Sequence, residues 1–176
     1  MITGVCLRLI VIAVGLLTVA QAHARGVYQE PAAFIDEVFA GDPPVPKALW
    51  ISGKAREGAE RILGHPPPSL RVRYWQREKR TAWILEEIGK EQPITAGIVV
   101  DNGQIERVKV LVFRESRGWE VSYPFFTDQF KVTRLGADAA LDRSIDGITG
   151  ATLSVRALKK LVRIALFYHQ WVSTDP

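Results

Sequence analysis

With 176 residues and a formal net charge of +4, the chain is long enough to bury a sizeable core in one domain, and too mildly basic to present the cationic stripe of a nucleic-acid binder. Its only cysteine, Cys6, lies in an N-terminal stretch read below as removable. The remainder then has no thiol, which excludes disulfides, thiol redox chemistry, iron–sulfur ligation and haem attachment through Cys-x-x-Cys-His. His23 lies in the same stretch, so only His65 and His169 remain, and no Gly-x-Ser-x-Gly elbow is present; this disfavours a hydrolase and a zinc or haem site built by this chain alone.

Taken in chain order, residues 9–24 carry no charge and are mostly Leu, Val, Ile and Ala, ending in Ala22-His23-Ala24, a small-x-small cleavage pattern. The run is shorter than the roughly 20 residues of a spanning helix. Residues 1–24 therefore read as a secretory signal peptide, with an uncleaved N-terminal anchor as the alternative. The expected location is a periplasm or another exported compartment, with inner-membrane association if the segment is kept. Residues 25–176 read as one domain: an N-terminal helical cap over about 25–68, then a sheet and the candidate site over about 69–176.

Residues 32–39 read as a short helix ended by Gly41-Asp42-Pro43-Pro44, and residues 55–63 as a second, stopped at Gly64. His65-Pro66-Pro67-Pro68 must be extended, because each ring fixes φ and removes a donor; His65 reads as a loop residue there. Residues 72–75 and 81–85 read as strands separated by a charged turn. Arg71, Arg73, Arg77, Lys79 and Arg80 around Tyr74 and Trp75 superficially resemble a base-stacking surface, but arginines alternating with aromatics also describe an exposed strand. Residues 94–100 and 105–113 flank Asp101-Asn102-Gly103, the strongest hairpin signal. Glu106, Lys109 and Arg114 interrupt the second strand, which implies one wet face. A helix over residues 153–171 closes the chain, with Val155, Leu158, Leu161, Val162, Ala165 and Leu166 on one face and His169 expected to cap its end or face solvent. The fold class is α+β: a twisted antiparallel sheet with the C-terminal helix packed on it and short N-terminal helices.

Asp146-Gly147-Ile148-Thr149-Gly150-Ala151-Thr152 runs straight into that helix. It places hydroxyls at a helix N-terminus, where free N–H groups and the dipole favour an anion, phosphate above all. Gly150 leaves room for close approach. Two readings stay open on these residues: a phosphate-bearing hydroxyl, or an ordinary cap made by Thr149 or Thr152.

The same seven residues match the pattern Asp-x-x-(Ser/Thr)-Gly-Ala-Thr and so resemble the FMN-binding domain family, which includes flavoprotein subunits of the Na+-translocating quinone reductase and of the Rnf complex. Glu115-Ser116-Arg117-Gly118-Trp119 is similar to the family's Glu-Thr-Pro-Gly-Leu loop, and Phe126-Thr127-Asp128-Gln129-Phe130-Lys131 to its aromatic-x-x-Gln-Phe-Lys segment. Order and spacing agree over about residues 93–170. Ser116, Arg117 and Trp119 depart from Thr, Pro and Leu, and Val132-Thr133 stands where the family has Gly-Lys.

The resemblance implies an exported electron-transfer flavoprotein, with a flavin transferase linking FMN by a phosphoester to Thr152. Asp146, Gly147 and Thr149 would belong to the recognition motif, Gly150 and Ala151 would keep the approach open, and Glu115, Ser116 and Gly118 would contact the flavin or its ribityl chain. Trp119 would cover the isoalloxazine or, equally, serve as a core residue at a strand end. Implied partners are the flavin transferase and a membrane reductase, cytochrome or quinone-linked protein, with no nucleic acid. The alternative is a non-flavinylated binding or sensory domain that docks a membrane redox partner; an enzyme with its own small substrate ranks below both.

Overall fold

The computed structural model describes residues 26–174. The signal-peptide reading lies outside them. Among the described residues, no helix is long and apolar enough to cross a membrane.

Helix α1 (Pro31–Val38) starts with proline at its first turn, where a missing N–H costs nothing, and buries Phe34, Ile35 and Val38. Strand β1 (Lys47–Trp50) follows, then α2 (Gly53–Leu63), which stops at Gly64 in the left-handed conformation. Strands β2 (Arg71–Arg77), β3 (Arg80–Ile88), β4 (Pro93–Asp101) and β5 (Gln104–Phe113) come next. The sheet has five strands in the order β1-β2-β3-β4-β5, antiparallel throughout. Asn102 and Gly103 both take positive φ between β4 and β5, as a two-residue hairpin loop of matching twist requires. After β5 the chain makes a 3-10 turn (Trp119–Ser122), the short helix α3 (Pro124–Thr127) and a further 3-10 turn (Asp128–Phe130). A long loop then leads into α4 (Thr152–Thr174).

One face of the sheet carries α4. Leu158, Leu161, Val162 and Ala165 pack with Trp83, Ile98, Val100 and Val110, and α2 adds Ala59 and Ile62 beside them. The opposite face is covered in part by α1, whose Phe34, Ile35, Val38 and Phe39 meet Ala82, Val99, Leu111 and Val112. Gly97 permits that approach: a Cβ there would lie 2.5 Å from Phe34 Cε1.

The α+β class and the antiparallel sheet with its C-terminal helix are as the sequence led us to expect. Three details differ. The N-terminal segment contains β1, an edge strand, between its two helices. The expected wet face is covered in part by α1, at whose end Arg80 pairs with Glu106 at 2.6 Å and Arg107 with Glu37 at 2.6 Å, while Arg73, Glu86 and Arg114 stay exposed beyond it. A register shift between Thr95 and Ala96 inserts Leu111 as an extra residue, so Leu111 and Val112 both serve the α1 side while Val110 and Phe113 serve α4.

His169 differs from expectation as well. It is neither a cap nor exposed: α4 continues to Thr174, and the imidazole is buried against the sheet. The Gly103 N–H donates to Nε2 at 3.1 Å, so the proton sits on Nδ1, which donates to Thr81 Oγ1 at 2.8 Å. Trp83 Nε1 donates to the same oxygen at 2.9 Å. Burial holds the His169 pKa below its ordinary value, with Asp101 opposing.

Candidate functional site

Beyond β5, Glu115 turns back toward the β3–β4 connection. Its Oε1 accepts the backbone N–H groups of Lys90 at 2.5 Å, Glu91 at 2.6 Å and Gln92 at 2.9 Å. Burial raises the carboxyl's pKa, but these donors and the Lys90 charge outweigh it and hold the group below its ordinary range. One oxygen of Glu115 therefore organises a turn. Oε2 accepts no hydrogen bond among the described residues and remains available to a ligand.

The turn so fixed sets Lys90 beside the start of α4. Gly118 brings the other side in: it takes positive φ, and a Cβ on it would lie 2.7 Å from Ser154 Oγ. A glycine is thus required both by the backbone and by the contact.

The loop before α4 is also pinned. Gln129 Oε1 accepts the Asp146 N–H at 2.8 Å, which ties the Gln-Phe segment to the Thr motif, and Lys159 Nζ donates to the Ile145 carbonyl at 2.6 Å. Gly150 takes φ +84 as the chain reverses into the helix. The Ala151 carbonyl accepts the first helical bond, from the Val155 N–H at 2.9 Å. Ala151, with no side-chain acceptor, thus holds the N-cap position. No side chain among the described residues caps this first turn, so the capping roles considered for Thr149 and Thr152 are not made. The N–H groups of Thr152, Leu153 and Ser154 are left without an acceptor among the described residues.

These elements enclose a cleft of about 600 Å³, lined by Lys90, by residues 115–117 and by residues 150–154. Glu115, Ser116, Gly150, Ala151 and Thr152 from the sequence reading meet there, and Thr152 is exposed. Gly118 packs immediately beneath the lining. Asp146, Gly147 and Thr149 are exposed on the approach loop and do not line the cleft. Trp119 is 45% exposed on its 3-10 turn, which removes the core-residue alternative.

Two cleft cations escaped the sequence reading. Arg117 had appeared only as a departure from proline. Lys90 carried no signal, because its placement depends on a carboxylate 25 residues further on. Lys90 Nζ also meets Glu91 at 2.9 Å, in an exposed pair. Two cations, three free N–H groups and a helix dipole converge where a hydroxyl stands, a setting for a phosphate. The volume suits a ligand of nucleotide size.

His65 lies outside the cleft. Its Nε2 meets buried Glu87 at 3.1 Å, and Lys160 reaches the same carboxylate at 2.9 Å.

Comparison with known proteins finds a match to the FMN-binding domain family over residues 89–166. The match begins at Gly89, in the turn that Glu115 organises, and ends within α4. No curated protein and no solved structure matches. Over residues 89–166 the chain carries a domain that belongs to the FMN-binding domain family.

Proposed function

We propose that this chain is an exported electron-transfer flavoprotein that holds FMN through a phosphoester to Thr152 Oγ1. The observation that carries the reading is the exposed Thr152 at an uncapped helix N-terminus, lining a cleft with Lys90 and Arg117. When bound, the flavin supplies two-electron acceptance with one-electron release.

The chain's own residues attach, orient and shield. The free N–H groups of residues 152–154 and the dipole of α4 stabilise the phosphodiester charge, and Lys90 and Arg117 add to that field. Ser116 and Glu115 Oε2 offer polar contacts along the ribityl chain. Trp119, exposed one residue past Gly118, is available to lie against the ring. Asp146, Gly147 and Thr149, exposed on the approach loop, form the segment a flavin transferase would read. In the attachment a flavin dinucleotide is the donor: the Oγ1–P bond forms, the bond from that phosphorus to the donor's second nucleotide breaks, and the leaving nucleotide takes up the hydroxyl proton; the chain gains the mass of FMN minus water.

Covalent attachment fits an exported protein, since a dissociated cofactor would be lost outside the cytoplasm. Residues 9–24 and Ala22-His23-Ala24 support export. The electron partners on this reading are a membrane reductase, a cytochrome or a quinone-linked protein.

The test is the intact mass of the chain co-expressed with a flavin transferase and exported, beside Thr152→Ala. The reading expects the FMN-minus-water gain in the wild type alone. An unmodified wild type, with the transferase active on a known substrate, overturns the covalent linkage and favours a non-flavinylated binding domain.

A further inference from the structure

Helix α4 carries four basic residues and no acidic one. Thr152, Arg156, Lys159 and Arg163 stand at i, i+4, i+7 and i+11, so a basic stripe begins at the proposed attachment residue and runs down one face. Arg143 joins from the preceding loop, and together they line a cleft of about 580 Å³.

These charges are not neutralised. Lys159 Nζ donates to the Ile145 carbonyl and Arg163 Nε to the Ala139 carbonyl, both at 2.6 Å, which pins the loop and leaves both charges standing. Among the described residues no carboxylate lies within 4.0 Å of Arg156, Lys159 or Arg163. Lys160 is the exception, paired with Glu87 at 2.9 Å. The acid in the cleft, Asp138, accepts the Ala140 N–H at 3.1 Å. Asp142 accepts the Arg134 N–H and reaches Arg143 Nε only at 4.0 Å.

Helix stability disfavours this arrangement. Arg156–Lys160 and Lys159–Arg163 are like-charge pairs at i,i+4, and Arg156 sits near the positive end of the dipole. A solvated helix face built for stability would intersperse acids.

We propose that this basic cleft docks the acidic face of a protein electron partner. The inference rests on the flavoprotein reading. At 1.5 Å per residue, Arg156 lies about 6 Å and Arg163 about 16 Å along the axis from Thr152, so a partner seated here abuts the flavin end. A field of one sign steers an acidic partner and fixes its orientation. A protein fits better than a lipid surface because the cations line a concavity, while the exposed aromatics Trp119, Tyr123 and Phe125 belong to the segment after β5.

The probe is cytochrome c with succinylated lysines, an acidic haem protein, compared with unmodified basic cytochrome c. Calorimetric titration is run on the full chain with and without flavin, at low and high salt. Wild type binds the succinylated form preferentially, and salt weakens the binding. Arg156→Glu combined with Arg143→Glu weakens it by about tenfold or more, whereas Arg73→Glu, an exposed charge reversal on β2, shifts affinity by less than about twofold. With reduced flavin, two ferric haems become ferrous per flavin, which gives up two electrons and two protons, and the rates follow the same order.

Absence of binding, or an Arg73→Glu effect equal to that of a cleft reversal, overturns the proposal. Cleft-dependent binding to phosphatidylglycerol vesicles with no cleft dependence for the succinylated protein overturns it in favour of a membrane. A chain that never acquires FMN defeats the flavoprotein reading alone; a flavin-loaded chain indifferent to the cleft reversals defeats the docking site alone.

Discussion

Glu115→Ala removes the single oxygen that accepts three N–H groups, from Lys90, Glu91 and Gln92. Hydrogen bonds to a charged acceptor contribute about 1.5–3 kcal/mol each. Water replaces much of that on an exposed turn, so we set the net loss at about 2–3 kcal/mol rather than the full sum. For a domain of this length each kcal/mol lowers Tm by about 2–4 °C, which gives a fall of about 4–12 °C. Glu115→Gln keeps an acceptor oxygen and loses the charge, and its Tm should fall about half as far. Thermal denaturation gives the global value, and amide exchange reads residues 90–92 directly: their protection should fall first, and Lys90 should lose its place at the cleft. The carboxyl is held below its ordinary pKa, so its contribution is complete above the unfolded value and is lost as pH falls through the folded one. If the alanine variant melts within about 2 °C of wild type and the three amides exchange unchanged, Glu115 does not organise the turn.

Three further outcomes follow from the packing. Phe34→Ala should cost about 3–5 kcal/mol in denaturant unfolding, since Phe34 is fully buried on Gly97; a loss below about 1 kcal/mol would mean that α1 does not seal the second face. Gly118→Ala places a Cβ 2.7 Å from Ser154 Oγ at a positive φ and should cost about 1–3 kcal/mol; adding Ser154→Ala should recover the steric part only, and full recovery would show that backbone strain is negligible. Buried, neutral His169 contributes stability that is full above its unfolded pKa and lost as pH falls through its lowered folded pKa. The stability gap between wild type and His169→Gln should therefore narrow in acid, and a gap that widens there would contradict a buried imidazole held neutral with a lowered pKa.

The sequence made the β4–β5 hairpin readable because Asn102-Gly103 sits between two apolar runs, and α4 because its apolar face repeats cleanly. Strand β1 was not readable. Lys47–Trp50 has one buried residue, Leu49, and becomes a strand only through pairing with β2. His169 was misplaced because the helix was read as ending near it, whereas three further residues stay helical beyond Trp171 and turn the imidazole into the interior. At the site, Thr152 could be picked out from a local pattern of seven residues. Lys90 could not, since no local pattern records that Glu115 will fold its turn. The basic stripe lay in plain view as Arg156, Lys159 and Arg163, but its lack of acidic partners is a tertiary fact.

The central claim is that Thr152, and no neighbouring hydroxyl, bears the flavin. Trypsin cleaves after Arg143 and Arg156, releasing residues 144–156 with Ser144, Thr149, Thr152 and Ser154 on one peptide. Fragmentation of that peptide from protein matured with a flavin transferase should place the added mass on Thr152. Its location on Thr149 or Ser154, or its absence from the peptide, would contradict the account.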